Sequence, residues 1–314
     1  MQINSVLVLL VIMLFSATHT FGQALSTKSA DGGVWVLEDS RDVLFYQFHP
    51  KTVDGQYERA GYVHPLLTLK GNVLTENGPA DHPYHRGIFW AWHQIRLNGE
   101  KIADGWMSEH MSWQPISLRT KQNGTSVTID AGLTWEYKPA GGRQEAIARE
   151  NTKITVFRSS GTYRIIDFDI TIKPLLTNLQ IGGADDAKGY GGFCLRLKLP
   201  PDIQFVSGNR EVKPELTAVT AGPWMDFEGS FDGAGEPLSG VALFCAAPKS
   251  DSVQKWILRR EKSMQNVVFP GSTPVKLPQN GWHLRYRLIV HSDKVGTEEL
   301  EKLYQEYLSG INKK

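Results

Sequence analysis

Apolar and polar residues alternate with a period of two through the middle of this chain. Ser126-Val127-Thr128-Ile129-Asp130 alternates, as do the runs from Thr152 to Phe157 and from Tyr163 to Ile172. Side chains of an extended chain point to opposite faces in turn, so these runs predict strands with one face buried. Further strands are predicted at 193–199, 239–246, 254–259 and 283–290. Asn123-Gly124, Gly141-Gly142, Ser160-Gly161 and Asn280-Gly281 supply the turns. One helix is predicted, from Thr297 to Leu308. Leu300, Leu303, Tyr304, Tyr307 and Leu308 form one stripe, Glu298 and Glu299 suit the first turn, and Gly310 stops the helix. Many strands at short spacing, with no helical period between them, predict an all-β sandwich or barrel carrying a C-terminal helix.

The first residues read differently. Val6 to Phe15 is an apolar run of signal-peptide length, too short to span a bilayer comfortably. Thr20 and Gly22 occupy the −3 and −1 positions of a cut before Gln23, and a cut after Ala24 is the alternative. The expectation is a signal peptide over 1–22, a periplasmic or secreted protein, and no stable membrane insertion after cleavage. Residues 23–314 then read as a single β-sandwich domain of about 290 residues, since no linker, repeat or low-complexity block divides them. Thirty-four basic and 33 acidic residues give a net charge of +1, which leaves no footprint for nucleic acid. Nine tryptophans and thirty glycines suit a turn-rich, aromatic β architecture. Cys194 and Cys245 both sit in strand-like runs and read as buried thiols, while export also permits a single disulfide.

Candidate chemistry concentrates in one cassette, Asp81-His82-Pro83-Tyr84-His85-Arg86-Gly87, followed by Ile88-Phe89-Trp90-Ala91-Trp92-His93. Histidine exchanges protons near neutral pH and is also the commonest metal ligand. His82 and His85 face opposite ways if the segment is extended and converge if it turns. Converged, they could transfer a proton to or from a sugar hydroxyl or ring oxygen, with Arg86 binding a carboxylate or hydroxyl pair. The competing structural reading is a buried polar cluster in which Asp81 fixes a turn. Zinc or copper ligation by the two histidines, completed by Asp81 or His93, is a third reading. It is disfavoured because Pro83 opposes a helix and the spacing is three rather than four. No cofactor is called for.

Gly61-Tyr62-Val63-His64-Pro65-Leu66, the cassette, Lys188-Gly189-Tyr190-Gly191-Gly192-Phe193 with Arg196, and Leu284-Arg285-Tyr286-Arg287 together resemble the PmoA-like family of exported bacterial proteins. The resemblance spans nearly the whole mature chain, and the histidine cassette is its specific part. It implies a galactose-mutarotase-like β-supersandwich and a carbohydrate ligand. Many relatives carry a second Asp-His-Pro stretch late in the chain. Here the corresponding segment, Ala246 to Asp251, has no histidine. The family name invokes methane oxidation by a membrane copper enzyme, yet no apolar run after the leader is long enough to span a membrane.

Other candidates follow from position. Glu150, in Arg149-Glu150-Asn151 at the start of an alternating run, could be the base opposite a histidine acid, as in mutarotases; a solvated strand carboxylate is the plainer reading. Lys188 and Tyr190 sit in a glycine-rich loop that permits close backbone approach to a ligand. Trp224, between Gly222-Pro223 and Gly229, reads as a loop residue and the best tryptophan for a ligand wall. The sequence thus points to an exported carbohydrate-active protein doing acid–base chemistry: epimerisation, elimination or glycoside cleavage. Its ligand is a small molecule or oligosaccharide. Catalysis is assigned to His85, His82 and Glu150, and substrate binding to Asp81, Arg86, His93, Lys188, Tyr190 and Trp224. A non-catalytic carbohydrate-binding protein and a metal-dependent oxidoreductase are the alternatives. The leader generates the first test: protein from its native host should begin near Gln23 or Leu25 and be released without detergent, whereas intact Met1 on a membrane-bound protein contradicts it.

Overall fold

The computed structural model describes residues 25–139, 141–246, 253–293 and 295–312. The expected leader and most of the segment 246–251 lie outside these residues. Two antiparallel nine-stranded sheets stack around one core, joined by a four-stranded and a two-stranded ribbon. The fold is the all-β sandwich that the alternation predicts.

One sheet is built on a meander of four long strands, Met111–Gln122, Ser126–Tyr137, Glu145–Phe157 and Tyr163–Pro174, continued by Trp282–His291. Alternation is cleanest in Tyr163–Pro174, where Arg164, Ile166, Phe168, Ile170 and Ile172 are buried and the residues between them are half-buried. Its outer face carries Asp167 and Asp169, which stand opposite Arg287 and Arg285 on the next strand. Arg287 donates to both Asp167 oxygens, at 2.6 and 2.9 Å. Opposite charges placed cross-strand in this way help fix the register.

The other sheet runs in the order Leu25–Ala30, Gly33–Glu38, Arg41–Gln47, Tyr62–Leu66, Ile88–Ala91, Gly192–Leu195, Gln265–Val267, Gln254–Ile257 and Val219–Ala221. Phe193 stacks on Tyr286 of the meander sheet at 4.3 Å, and Trp90 meets Phe168 at 6.5 Å, so aromatic rings tie the two layers together. The expected strand at 193–199 is shorter, Gly192–Leu195, and beyond it the backbone pairs instead with Leu74–Glu76, through a bridge between Leu197 and Thr75. Cys194 and Cys245 are buried free thiols, and burial pushes both well above the ordinary thiol range.

The C-terminal helix, Thr297–Asn312, extends past its predicted end, with Gly310 inside its last turn rather than beyond it. Leu300, Leu303, Tyr304 and Tyr307 are buried against Ala242, Phe244 and Ile289. Trp224 belongs to this contact. It lies in the strand Trp224–Gly229, 1% exposed, and donates from Nε1 to Glu301 Oε2 at 2.9 Å. The loop and ligand-wall reading of Trp224 is therefore corrected. That strand is buried on both faces, by the sandwich core and by the helix, so it shows no alternation to betray it. Trp224→Ala should cost ~3–5 kcal/mol of stability through lost burial and leave ligand affinity of the folded fraction unchanged. Chemical denaturation beside a binding titration checks this, and weakened binding at full stability contradicts it.

Candidate functional site

The cassette turns. Pro79 O accepts from His82 N, and His82 O accepts from His85 N, both at 2.9 Å, so two successive tight turns carry the chain from Pro79 to His85. Three-residue spacing across turns brings both imidazoles to one side. They stack at 4.6 Å between centroids, with planes only 1° apart. Gly87 then carries the chain into the strand Ile88–Ala91 against its neighbour: a Cβ at position 87 would lie 2.3 Å from Val63 O, so no side chain fits.

Arg196 organises the ring pair. It is 2% exposed, its Nη2 donates to both Asp81 oxygens at 2.9 Å, and its Nε donates to Glu76 at 2.8 Å. Its Nη1 makes a longer contact, 3.4 Å, to His85 Nδ1. A guanidinium only donates, so His85 Nδ1 accepts and the ring hydrogen sits on Nε2. Desolvation, the His82 ring and Arg196 together lower His85 to about 2, which keeps it a neutral imidazole. His82 Nδ1 is 2.7 Å from Asp81 Oδ2. Desolvation raises Asp81, but hydrogen bonds from His82 and Arg196 outweigh it and hold the carboxyl below the usual range. Ionised Asp81 only accepts, so His82 carries a hydrogen on Nδ1, which in the neutral ring leaves the lone pair on Nε2. Two adjacent histidines thus have opposite tautomers, one presenting an acceptor and one a donor.

His82, Tyr84, His85 and Trp106 form one side of a cleft of about 260 Å³. Lys188 and Tyr190 form another part, and the turn from Ile257 to Met264 closes it. Trp106 stands edge-on to His85 at 5.7 Å and stacks on His93 at 5.2 Å. Its backbone is pinned by Asp104, whose Oδ1 accepts from Trp106 N at 2.9 Å, and by Arg59, which donates to Trp106 O at 3.1 Å.

The remaining candidates fall into two groups. Asp81, His82, His85, Lys188 and Tyr190 come together at or beside the cleft. His93 supports it from behind: its Nδ1 lies 2.9 Å from Asp104, and its ring touches Trp106 and Tyr190. Arg86 does not reach the cleft. Its guanidinium is buried and spent on the carbonyls of Pro83, His85 and Tyr57, so it fastens the turn rather than a ligand. Glu150 is corrected too. It lies on the core face of its strand, 1% exposed, accepting from Trp135 Nε1 at 2.8 Å and Thr152 Oγ1 at 2.9 Å. Desolvation raises its pKa against those hydrogen bonds. It is neither a solvated carboxylate nor a wall of the histidine cleft. The glycines near Lys188 serve the chain itself, since a Cβ on Gly183 would lie 2.2 Å from Gly189 O.

The sequence reading missed Tyr84 as a wall, Trp106, and the 257–264 turn. A charged run such as Arg259-Arg260-Glu261-Lys262 carries no sign that it folds over a cleft. Arg196, named above only as part of the family resemblance, proves to be buried. Among the described residues, no group of three or more His, Cys, Asp or Glu is arranged to hold a metal, and no helix is long and apolar enough to cross a membrane.

With the geometry in place, comparison with known families is informative on membership. A family model matches residues 34–305. The chain belongs to the Family of unknown function (DUF6807). No curated protein matches it. The match brings no activity with it and does not carry the PmoA-like name.

His85 generates a titration test. A base whose folded pKa is depressed contributes stability that is fully present above its unfolded value, ~6.5, and lost as pH falls below it. His85 should remain neutral with hydrogen on Nε2 from pH 5 to 9 by nitrogen-15 NMR, and stability should fall below pH ~6.5. An imidazole at position 85 that titrates near 6 contradicts this geometry.

Proposed function

We propose that this chain is an exported carbohydrate-active protein whose cleft moves a proton on a sugar. His82 serves as the general base through Nε2, and Asp81 orients it and balances the imidazolium that forms. His85, held neutral, donates a hydrogen bond from Nε2 to the oxygen where negative charge develops. The observation that carries this reading is the stacked pair of imidazoles with opposite tautomers, both held at their Nδ1 edges by the Asp81–Arg196 pair. An acceptor beside a neutral donor is the equipment for deprotonating a sugar hydroxyl or an acidic C–H.

A sugar is favoured as ligand by the aromatic groups around the rings, Tyr84, Trp106 and Tyr190, and by the resemblance to the PmoA-like proteins with their expected mutarotase-like fold. Aromatic faces and edges suit the apolar C–H side of a pyranose. Epimerisation and elimination suit the site better than glycoside cleavage, because most glycosidases need two carboxylates flanking the bond. The lining holds a single carboxylate, Glu261, while Asp81 is occupied by Arg196 and His82. A non-catalytic carbohydrate-binding protein is the second reading, favoured by the near-complete burial of His85, since a fixed neutral donor serves recognition as well as catalysis.

The two readings separate on His82. Once a substrate is found by NMR of a glycan panel, His82→Gln should preserve folding and binding and cut turnover by ~10²–10⁴. His85→Gln should reduce turnover comparably, and Arg86→Lys should lower the melting temperature while leaving substrate affinity of folded protein intact. Full turnover in both glutamine variants would overturn the catalytic reading. Binding without turnover across the panel would favour the binder.

A further inference from the structure

The cleft that the imidazoles line also has a cationic part. Lys188 comes from the glycine-rich loop, and Arg259 and Lys262 come from the turn that joins Gln254–Ile257 to Gln265–Val267. Three cations there face one lining carboxylate, Glu261. Asp81 does not line the cleft, and Arg196, which engages both of its oxygens, also pairs with Glu76. Among the described residues, no ion pair engages Lys188, Arg259 or Lys262.

Arg259 is the informative member. Its Nη1 donates to the carbonyls of Glu215 and Leu258, both at 2.7 Å, and its Nη2 donates to Leu216 O at 2.9 Å. Carbonyls fix the guanidinium in place without neutralising it. Of the five donors on an arginine, those three contacts leave two, one on Nε and one on Nη2, without an acceptor among the described residues. A rigid, half-buried guanidinium with two spare donors is the group that takes a carboxylate in a planar, bidentate manner. Lys188 and Lys262 are exposed, and as mobile point charges they add attraction rather than geometry. The chain as a whole is nearly neutral, at +1, so this positive charge is local to the cleft and not a property of the surface at large.

We infer that the ligand of the histidine cleft is an acidic saccharide, one whose carboxylate, or an equivalent sulfate, docks on the Lys188–Arg259–Lys262 wall while a neighbouring hydroxyl or C–H meets the imidazoles. The inference rests on the carbohydrate reading and narrows its substrate class. It also accounts for the placement of a charged turn over a cleft otherwise lined by rings.

Calorimetry on the purified protein tests it with three probe sets of matched length: oligosaccharides containing glucuronate, galacturonate or mannuronate, their neutral counterparts, and sulfated counterparts. The acidic set should bind at least ~10-fold more tightly than the neutral one, and 0.5 M salt should remove most of that preference, because screening shortens to a few ångströms. Preference between the uronate set and the sulfated set tells a carboxylate ligand from a sulfate ligand. Lys188→Gln and Lys262→Gln, both at exposed positions that no core contact requires, should each weaken acidic binding by ~2–5-fold, a larger loss than for neutral binding. Equal affinity for neutral and acidic sugars, or full acidic affinity in both glutamine variants, overturns the inference and leaves the sugar reading standing. If folded protein binds no saccharide of any set, both fail.

Discussion

Arg196 leaves its strand into a space where its guanidinium meets Asp81, Glu76 and His85, and the geometry of the whole site follows from those contacts. The two bonds from Nη2 to Asp81 fix the carboxylate that orients His82, while the contact to Nδ1 fixes the tautomer of His85. Arg196 is the buried member and its two carboxylates are partly exposed, so the guanidinium depends on both of them to keep its charge compensated. The backbone depends on the same residue, since Arg196 N donates to Gly87 O at 2.7 Å where the cassette enters its strand. One side chain therefore couples the register of the central strands to the proton positions on two imidazoles.

Much of this architecture was legible in the chain. Period-two patterning located the long meander strands, because those strands have one core face and one wetter face. It failed where a strand is buried on both sides, as at Trp224–Gly229. There the flanking glycines misled: Gly229 is small because a Cβ would lie 2.6 Å from Pro200, not because the chain loops. The cassette was legible as a cluster, but its convergence depended on turns whose hydrogen bonds involve backbone alone. Glu150 shows the reverse failure, a polar residue read as chemistry or solvation that is instead a buried acceptor for Trp135 and Thr152. Arg86 and Arg196 sit in equally plausible sequence contexts. Only the fold distinguishes the arginine spent on carbonyls from the one that sets the histidines.

The division between the two histidines gives the site its chemical character. A solvent-facing imidazole backed by a carboxylate is a proton acceptor, and a desolvated imidazole beside a guanidinium is a donor that does not ionise. Their stacking at 4.6 Å puts both functions within reach of one small ligand. Around them Trp106 is locked by Asp104 and Arg59, so the rings are held by a rigid frame rather than by loop residues free to adjust.

The central claim is that a saccharide meets both imidazoles at once, and a crystal structure of the protein soaked with its tightest-binding sugar tests it most directly. The account predicts a sugar ring in the cleft with oxygens ~2.6–3.2 Å from His82 Nε2 and His85 Nε2. A sugar bound elsewhere on the sandwich, or seated in the cleft with neither imidazole in contact, would contradict it.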